Sequence, residues 1–350
     1  MRRGLICCCL VAALTLTLAP VAVALPKGTR VRVFKSGLNF PVDVAWVPGT
    51  KKMFFTEKNT GRVRVLVGKT LRSRPCIDLD VNSSGEAGAL GLAVHPNFKR
   101  NHWLYVFYTN RSPLQNRVTR YEVIRNRCRK AKAIVRGLPA STGYHNGGQL
   151  EFIGKKLFVG TGENHDPALA QNKNSRLGKI LRLNANGSVP GDNPFGARNP
   201  VWSYGHRNPF GLANRPGTGW LFESENGPNC DDELNRIKRG RNYGWGPGYP
   251  CGTKGVGPQP MGPLRRWTPP IVPTDLVWYR GKIKRLNGSL YMGDFGTGRV
   301  HRFRMNDRGT RVRKHNVIYN ASSGVVDVTK GPRGLFYIVT SSAILRIVKN

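Results

Sequence analysis

The chain has 350 residues, of which 39% are hydrophobic and 21% are charged, and this composition excludes a chain that is disordered throughout. Lys and Arg number 56 against 19 Asp and Glu, so the formal net charge of +37 favours acidic partners, although charge alone identifies none. The 42 Gly and 24 Pro disfavour a helical bundle and favour short strands joined by tight turns. We therefore predict an all-β fold.

The start of the chain has the features of a signal peptide. Arg2-Arg3 precedes an apolar run over 5–19, and Ala22-Val23-Ala24 is a small-x-small cleavage sequence. We predict a signal peptide over 1–24 and a mature chain that is secreted or periplasmic. After this segment the sequence contains no run of the roughly 18 apolar residues that a membrane-spanning helix needs.

Four cysteines follow the predicted cleavage site, and an even number in an oxidising compartment indicates two disulfides. Three connectivities are possible, and we expect the local one, with Cys76 paired to Cys128 and Cys230 paired to Cys251. Four free thiols are the alternative. The sequence has no Cys-x-x-Cys spacing that would indicate a metal site.

A repeat runs along the mature chain. An Arg followed by an apolar residue ends an alternating strand six times, and most copies follow an earlier apolar strand, so each unit contains a hairpin with flanking strands. The six pairs are Arg64-Val65, Arg120-Tyr121, Arg182-Leu183, Arg236-Ile237, Arg302-Phe303 and Arg346-Ile347. Units of about four strands bury both faces when they stack radially around a channel.

The repeat predicts a six-bladed β-propeller over 25–350. The segment 29–34 alternates Val and Arg, and we expect it to pair with the last strand, near 345–348, and close the ring. A pair of β-sandwiches is the alternative, but it would need a linker, and no low-complexity segment or charge run divides the chain.

Loops rich in Gly, His and Asn separate the predicted strands, and we expect the chemistry to lie in those at one end of the propeller. They include the segments 85–91, 143–149, 203–209 and 225–235. These loops and their flanks resemble the soluble aldose dehydrogenases that depend on pyrroloquinoline quinone (PQQ), the glucose/sorbosone dehydrogenase family. The motifs that carry the resemblance are Leu-Ala-Val-His-Pro-Asn-Phe at 92–98, Leu-Gly-Lys-Ile-Leu-Arg-Leu-Asn at 177–184, Gly-His-Arg-Asn-Pro at 205–209 and Asn-Tyr-Gly-Trp at 242–245.

The resemblance covers nearly the whole mature chain and implies a quinoprotein that oxidises the anomeric hydroxyl of an aldose to the lactone. His145 matches the catalytic base of the family, and a neutral imidazole suits that role near pH 7. Arg207 matches the guanidinium that stabilises negative charge on the quinone, with Asn208 beside it on the cofactor. Glu86 matches a position near the substrate and the quinone.

The resemblance also implies calcium, which polarises the quinone carbonyl as a Lewis acid. Gly227 and Pro228 match the positions whose carbonyl oxygens bind the ion. The carboxylates at 231–233 are candidates for orienting this loop. Five further histidines lie outside these motif loops' assigned roles and have no metal-ligand spacing, so they are interpreted as packing or surface residues: His95, His102, His165, His301 and His315.

Two departures from the family pattern concern the cations that bind the carboxylates of PQQ. Where the family has a Lys and an Arg-x-Arg segment, this chain has neither in the stretches 293–299 and 324–328, which leaves Arg299 and Lys330 as the nearby replacements. Tyr144 also stands where the glucose-oxidising members tend to have Asp, so glucose itself is not implied.

These departures leave two hypotheses open. The first is a PQQ-dependent oxidoreductase with an aldose as substrate, an electron acceptor that the sequence does not identify, and no nucleic acid as partner. The second is a non-catalytic propeller of the same family that binds acidic glycans or a cell surface through basic runs such as 125–132.

Overall fold

The computed structural model describes Val23 and residues 25–350, so the predicted signal peptide lies, apart from Val23, outside the described residues. Within them, 25 β-strands form six antiparallel sheets. The first sheet contains β2 (Pro41–Trp46), β3 (Lys52–Glu57), β4 (Arg62–Val67), β5 (Thr70–Leu71) and β6 (Ile77–Asp78). The second contains β7 (Ala89–Val94), β8 (Trp103–Asn110), β9 (Gln115–Ile124) and β10 (Arg127–Leu138).

The remaining sheets follow in chain order. The third contains β11 (Gly147–Ile153), β12 (Lys156–Thr161), β13 (Lys179–Asn184) and β14 (Val201–Tyr204). The fourth contains β15 (Pro209–Arg215), β16 (Trp220–Glu225), β17 (Asp232–Ile237) and β18 (Arg265–Trp267). The fifth contains β19 (Pro273–Tyr279), β20 (Ser289–Asp294), β21 (Arg299–Met305) and β22 (Val312–Asn320). The sixth contains β23 (Val325–Lys330), β24 (Phe336–Thr340), β25 (Ala343–Lys349) and β1 (Thr29–Ser36).

The first strand of each sheet lies innermost, and these strands contact one another in a closed ring. Around the channel the order is β2, β7, β11, β15, β19 and β23, with β23 again beside β2. The sheets are therefore the blades of a six-bladed β-propeller, as the sequence predicts. Within residues 25–350, helical structure is limited to two short α-helices, α1 (Phe98–Asn101) and α2 (Pro167–Gln171), and two 3₁₀ turns, Lys284–Leu286 and Pro332–Gly334. None of the helices in the described part of the chain is long and apolar enough to cross a membrane.

The repeated Arg–apolar pair lies in the third strand of every blade, which explains its period. All six apolar members are buried between blades. Several of the arginines instead stack on an aromatic ring: the guanidinium carbon of Arg120 lies 3.9 Å from the ring centre of Trp103, and that of Arg236 lies 4.4 Å from the ring centre of Trp220. The pair thus combines an inward apolar residue with an outward cation–π contact.

The ring closes as predicted, because β1 pairs with β25. The antiparallel register runs from Thr29 opposite Lys349 to Ser36 opposite Ala343, with a shift between Val33 and Lys35. The last blade therefore takes three strands from the end of the chain and one from the beginning.

The predicted disulfide pairing is also confirmed. Cys76 bonds Cys128 and ties the outer edges of the first two blades, while Cys230 bonds Cys251 within the loops of the fourth blade. The first bridge closes 52 residues of chain and the second closes 21.

Loop length predicts which disulfide contributes more to stability. We expect the double variant C76S/C128S to lose about 2–5 kcal/mol of the free energy of unfolding, and C230S/C251S to lose less, because the longer loop restricts the unfolded chain more. Urea unfolding of both variants, followed by tryptophan fluorescence, measures the difference. A larger loss for C230S/C251S would contradict the expectation.

Candidate active site

The four loops that the sequence analysis predicts to be functional lie at one end of the channel. They are the segments 85–91, 143–149, 203–209 and 225–235. These loops precede the innermost strand of a blade or follow its second strand, and in an antiparallel blade both positions lie at the same end. A cavity of about 240 Å³ opens there, lined by Lys58, Glu86, Asn208 and a largely apolar wall that includes Phe295.

His145 is buried at this end and is oriented by Glu163. Its Nδ1 lies 2.8 Å from Oε1 of Glu163, in the loop after β12. Because a carboxylate only accepts hydrogen bonds, a neutral His145 carries its proton on Nδ1 and its lone pair on Nε2. The close approach needs a glycine at 162, where a Cβ atom would lie 1.9 Å from the carbonyl oxygen of His145.

Glu86 joins two of the predicted site residues. Its Oε2 accepts hydrogen bonds from the backbone N–H of His145 at 2.9 Å and from Nδ2 of Asn208 at 3.0 Å. Asn208 in turn accepts from the backbone N–H of Gly147 at 3.0 Å. The loops before three neighbouring inner strands are therefore connected through two side chains.

Arg207 lies on the other side of this network, over the ring of Trp245. Its Nη1 donates to the carbonyl oxygens of Asn226 at 2.9 Å and Gly227 at 2.7 Å. Burial lowers the pKa of Arg207, and the charges of Glu163 and other carboxylates oppose that shift. The side chain stays a cation, since a guanidinium does not lose its proton in proteins.

Gly227 and Pro228, which the family resemblance assigns to calcium, lie in a loop that is held by hydrogen bonds. Arg207 contacts the same loop. Asp232 accepts from the backbone N–H of Gly227 at 2.8 Å, so one of the three carboxylates at 231–233 does orient this loop. The Gly227 carbonyl accepts from Arg207, whereas the Pro228 carbonyl accepts no hydrogen bond from any described residue. The Gly227 carbonyl oxygen keeps a second lone pair for an ion, although the nearby guanidinium charge disfavours a cation there.

Glu163 and His165 also lie at this site, although no motif in the sequence assigns either of them a role. Nε2 of His165 lies 3.0 Å from Nε2 of His145, and the ring of Tyr144 stacks on the outer face of His165. Burial, followed by repulsion from a protonated His145, lowers the pKa of His165. When His145 is neutral with its lone pair on Nε2, Nε2–H of His165 is the donor of this hydrogen bond. A pattern that could have indicated both residues is the segment Gly-Glu-Asn-His at 162–165. It follows the second strand of its blade and therefore lies at the same end of the channel as His145.

Two candidate replacements for the missing cations are not at the cavity. Lys330 lines a different cavity, at the opposite end of the channel, and Arg299 does not line the candidate-site cavity. Gly324 packs on the ring of Phe295, and a Cβ atom there would lie 2.4 Å from the ring. The cavity wall is therefore aromatic at the position where the resemblance implies arginines. Lys58 is a cation that lines the same cavity.

Glu163 gives a test of the orientation of His145. On the expectation from the family resemblance that His145 is the base for aldose oxidation, Glu163→Gln should lower kcat by about 10²–10⁴ with little change in KM. The positive charge that would form on His145 loses its counter-ion while the contacts to the sugar remain. Steady-state kinetics measure the split. A loss confined to KM, or to thermal stability, would contradict a positioning role.

The fold is shared with solved structures of sugar dehydrogenases. The PQQ-bound aldose sugar dehydrogenase of Streptomyces coelicolor superposes with a TM-score of 0.80 at 30% sequence identity, over 93% of this chain and 99% of that chain. The sequence model described as Glucose / Sorbosone dehydrogenase matches residues 38–349. The chain belongs to the glucose/sorbosone dehydrogenase family.

Two curated relatives agree with this membership. The aldose sugar dehydrogenase YliI of Escherichia coli is 29% identical over 353 residues, which cover 93% of this chain and 94% of the relative. Quinoprotein glucose dehydrogenase B of Acinetobacter calcoaceticus is 34% identical over 266 residues, 66% of this chain and 55% of the relative. The family is one of sugar oxidoreductases.

Proposed function

We propose that the mature protein is an exported quinoprotein that oxidises the anomeric hydroxyl of an aldose to the lactone. The observation that carries the proposal is the Glu163–His145 pair, which leaves a buried imidazole with its lone pair on Nε2, at the same mouth of the channel as Arg207. The signal-peptide pattern and the two disulfides support export.

His145 acts as the base in this proposal. The hydroxyl proton of the sugar passes to Nε2 as the C–H hydrogen leaves with its electron pair, and Glu163 stabilises the imidazolium that forms. His165 occupies Nε2 in the structure, so a sugar hydroxyl displaces it on binding. PQQ, when bound, supplies the acceptor for the electron pair.

The residues present fit a bound quinone at its reactive side. Arg207, Asn208 and Glu86 hold the cofactor in this proposal, and the carbonyls of Gly227 and Pro228 hold calcium. Arg207 places a permanent positive charge where an acceptor gains negative charge. The buried Nε of Arg207 and Oε2 of Glu163 have no hydrogen-bond partner, so polar groups remain for a ligand. Lys58 is the cation available for a cofactor carboxylate.

The aromatic wall favours a second candidate function. With Phe295 packed on Gly324, the family's arginines have no equivalent, and losing charge-assisted hydrogen bonds of roughly 1.5–3 kcal/mol each weakens cofactor binding. A propeller that does not bind the quinone and uses its net charge of +37 to hold acidic glycans or a cell surface is consistent with that wall.

Dye-linked oxidation of a panel of aldoses by the purified mature protein separates the two functions. PQQ and calcium are added singly and together, and calorimetry measures PQQ binding in parallel. Activity that requires both additions supports the enzyme. No activity, together with no PQQ binding at micromolar concentration, contradicts it, and retention on an anionic polysaccharide that is lost at high salt would then support the binding protein.

A further inference from the structure

Three inner strands place an aspartate at the same level of the channel. Asp43 lies in β2, Asp275 in β19 and Asp327 in β23; all three are buried, and one carboxylate oxygen from each lies within 4.8 Å of the other two. We name these residues the channel triad. The residues that immediately precede them line the candidate-site cavity: Val42, Thr274 and Val326. The channel triad therefore lies one residue further along the channel than that cavity.

The channel triad is held in place by the backbone of neighbouring blades. Each carboxylate accepts one N–H from an adjacent inner strand, and in every case one oxygen is used. The donors are Leu92 to Asp43 at 2.6 Å, Leu212 to Asp275 at 3.2 Å, and Val44 to Asp327 at 3.0 Å. These bonds fix the orientation of the carboxylates.

One carboxylate oxygen of the channel triad is available to a ligand. Oδ1 of Asp327 is fully buried and has no hydrogen-bond partner, which is unusual for a buried carboxylate oxygen. Asp43 and Asp275 line a cavity of about 350 Å³ that opens at the end of the channel away from the candidate active site. Water and small ions therefore have a route to the channel triad that does not pass the sugar site.

No protein cation compensates the three carboxylates. Among the described residues, no Lys, Arg or His forms an ion pair with any member of the channel triad, although the chain has an excess of basic residues. Burial, followed by the charge of Asp327, raises the pKa values of Asp43 and Asp275 well above their usual range, and burial raises the pKa of Asp327 to about 7. A buried group of this kind is stabilised by a bound cation or by shared protons.

We propose that the channel triad binds one divalent cation of the size of Ca²⁺. Calcium takes 6–8 oxygen ligands at 2.3–2.6 Å, so two ligands on opposite sides of the ion are about 4.6–5.2 Å apart. The three carboxylate oxygens lie within 4.8 Å of one another, so all three can belong to one such sphere, completed by water from the open cavity. This site is separate from the carbonyls of Gly227 and Pro228 and does not depend on PQQ.

Calcium binding to chelator-treated protein without PQQ tests the proposal. Calorimetry gives the affinity and thermal melts give the shift in Tm, for the wild type, for Asp327→Asn, and for the matched control Asp294→Asn, a buried carboxylate outside the channel that binds Thr297 and His301. We expect the wild type and the control to bind calcium and to gain Tm. D327N should lose affinity at this site by at least about tenfold, together with the gain in Tm.

Folding of D327N is checked by its Tm in the chelator, which should equal or exceed that of the wild type, because a neutral amide relieves the repulsion among the carboxylates. Asp275→Asn should reproduce the loss of calcium affinity. Calcium that binds at Gly227 and Pro228 gives the same signal in both variants as in the wild type. That signal is subtracted from the wild-type titration to isolate binding at the channel triad. A wild type with no calcium response, or a D327N response equal to that of the wild type, overturns the proposal and leaves shared protons as the explanation of the cluster.

Discussion

Replacing His145 with alanine should lower kcat/KM for aldose oxidation by about 10²–10⁴, the range expected when a general base is removed. The loss follows from the geometry, because the two other imidazoles that contact buried carboxylates have their second ring nitrogen bound within a blade. His206 lies between Glu225 and Ser203, and His301 lies between Asp294 and His315. His165 contacts His145 but has no such carboxylate partner, so it is not expected to replace it. Steady-state kinetics with PQQ and calcium at saturation measure the effect.

The stability of the variant must be separated from its chemistry. His145 has a positive φ of 50°, and the change to alanine leaves the buried Glu163 without its partner. Asn tolerates this backbone conformation better than most residues, so His145→Asn is the second variant. His102→Ala, which removes an exposed histidine that also has a positive φ, is the control and should keep full activity. Activity within tenfold of the wild type in both His145 variants would contradict the assignment of the base.

Arg207→Ala should lower kcat by about 10²–10³, because a preorganised cation facing developing negative charge contributes roughly that much. Arg207→Lys should recover only part of the loss, since an ammonium does not reproduce the two-carbonyl contact of the guanidinium with Asn226 and Gly227. Single-turnover kinetics with bound PQQ separate the chemical step from cofactor binding.

The matched control for this variant is Arg236→Ala. Arg236 also stacks on a tryptophan, but it lies in the third strand of its blade, away from the channel. We expect its loss to affect stability and not turnover. Equal effects of the two changes on kcat would show that Arg207 contributes only packing.

The propeller was predictable from sequence because its signal is repeated and local. The Arg–apolar pair recurs in the third strand of every blade for one physical reason, the burial of the apolar member between blades, so six copies report the same arrangement. The closure by β1 and β25 and both disulfides follow from short patterns of the same kind. The structure also brings together His145, Glu86 and Asn208, although their roles stay predictions.

The residues that sequence analysis missed have no local pattern. Glu163 is a single carboxylate in a loop, and it becomes significant only because Gly162 lets that loop pass against His145. The channel triad is further out of reach: its members come from the first, fifth and sixth blades, and only the closed ring places residues 43, 275 and 327 together. In the sequence, the three aspartates are far apart and share no motif.

The strand that closes the ring also has a consequence for how the chain reaches its final state. The partner of β1 is the last strand, β25, so β1 has no strand to pair with until the end of the chain has been synthesised. Until then its backbone N–H and C=O groups are unpaired. An open edge of this kind recruits strands from other molecules and promotes aggregation. Arg30 and Arg32 lie on the exposed face of β1, and charges on an edge discourage such pairing. The alternation of Val and Arg that identifies this strand therefore also protects the unfinished chain.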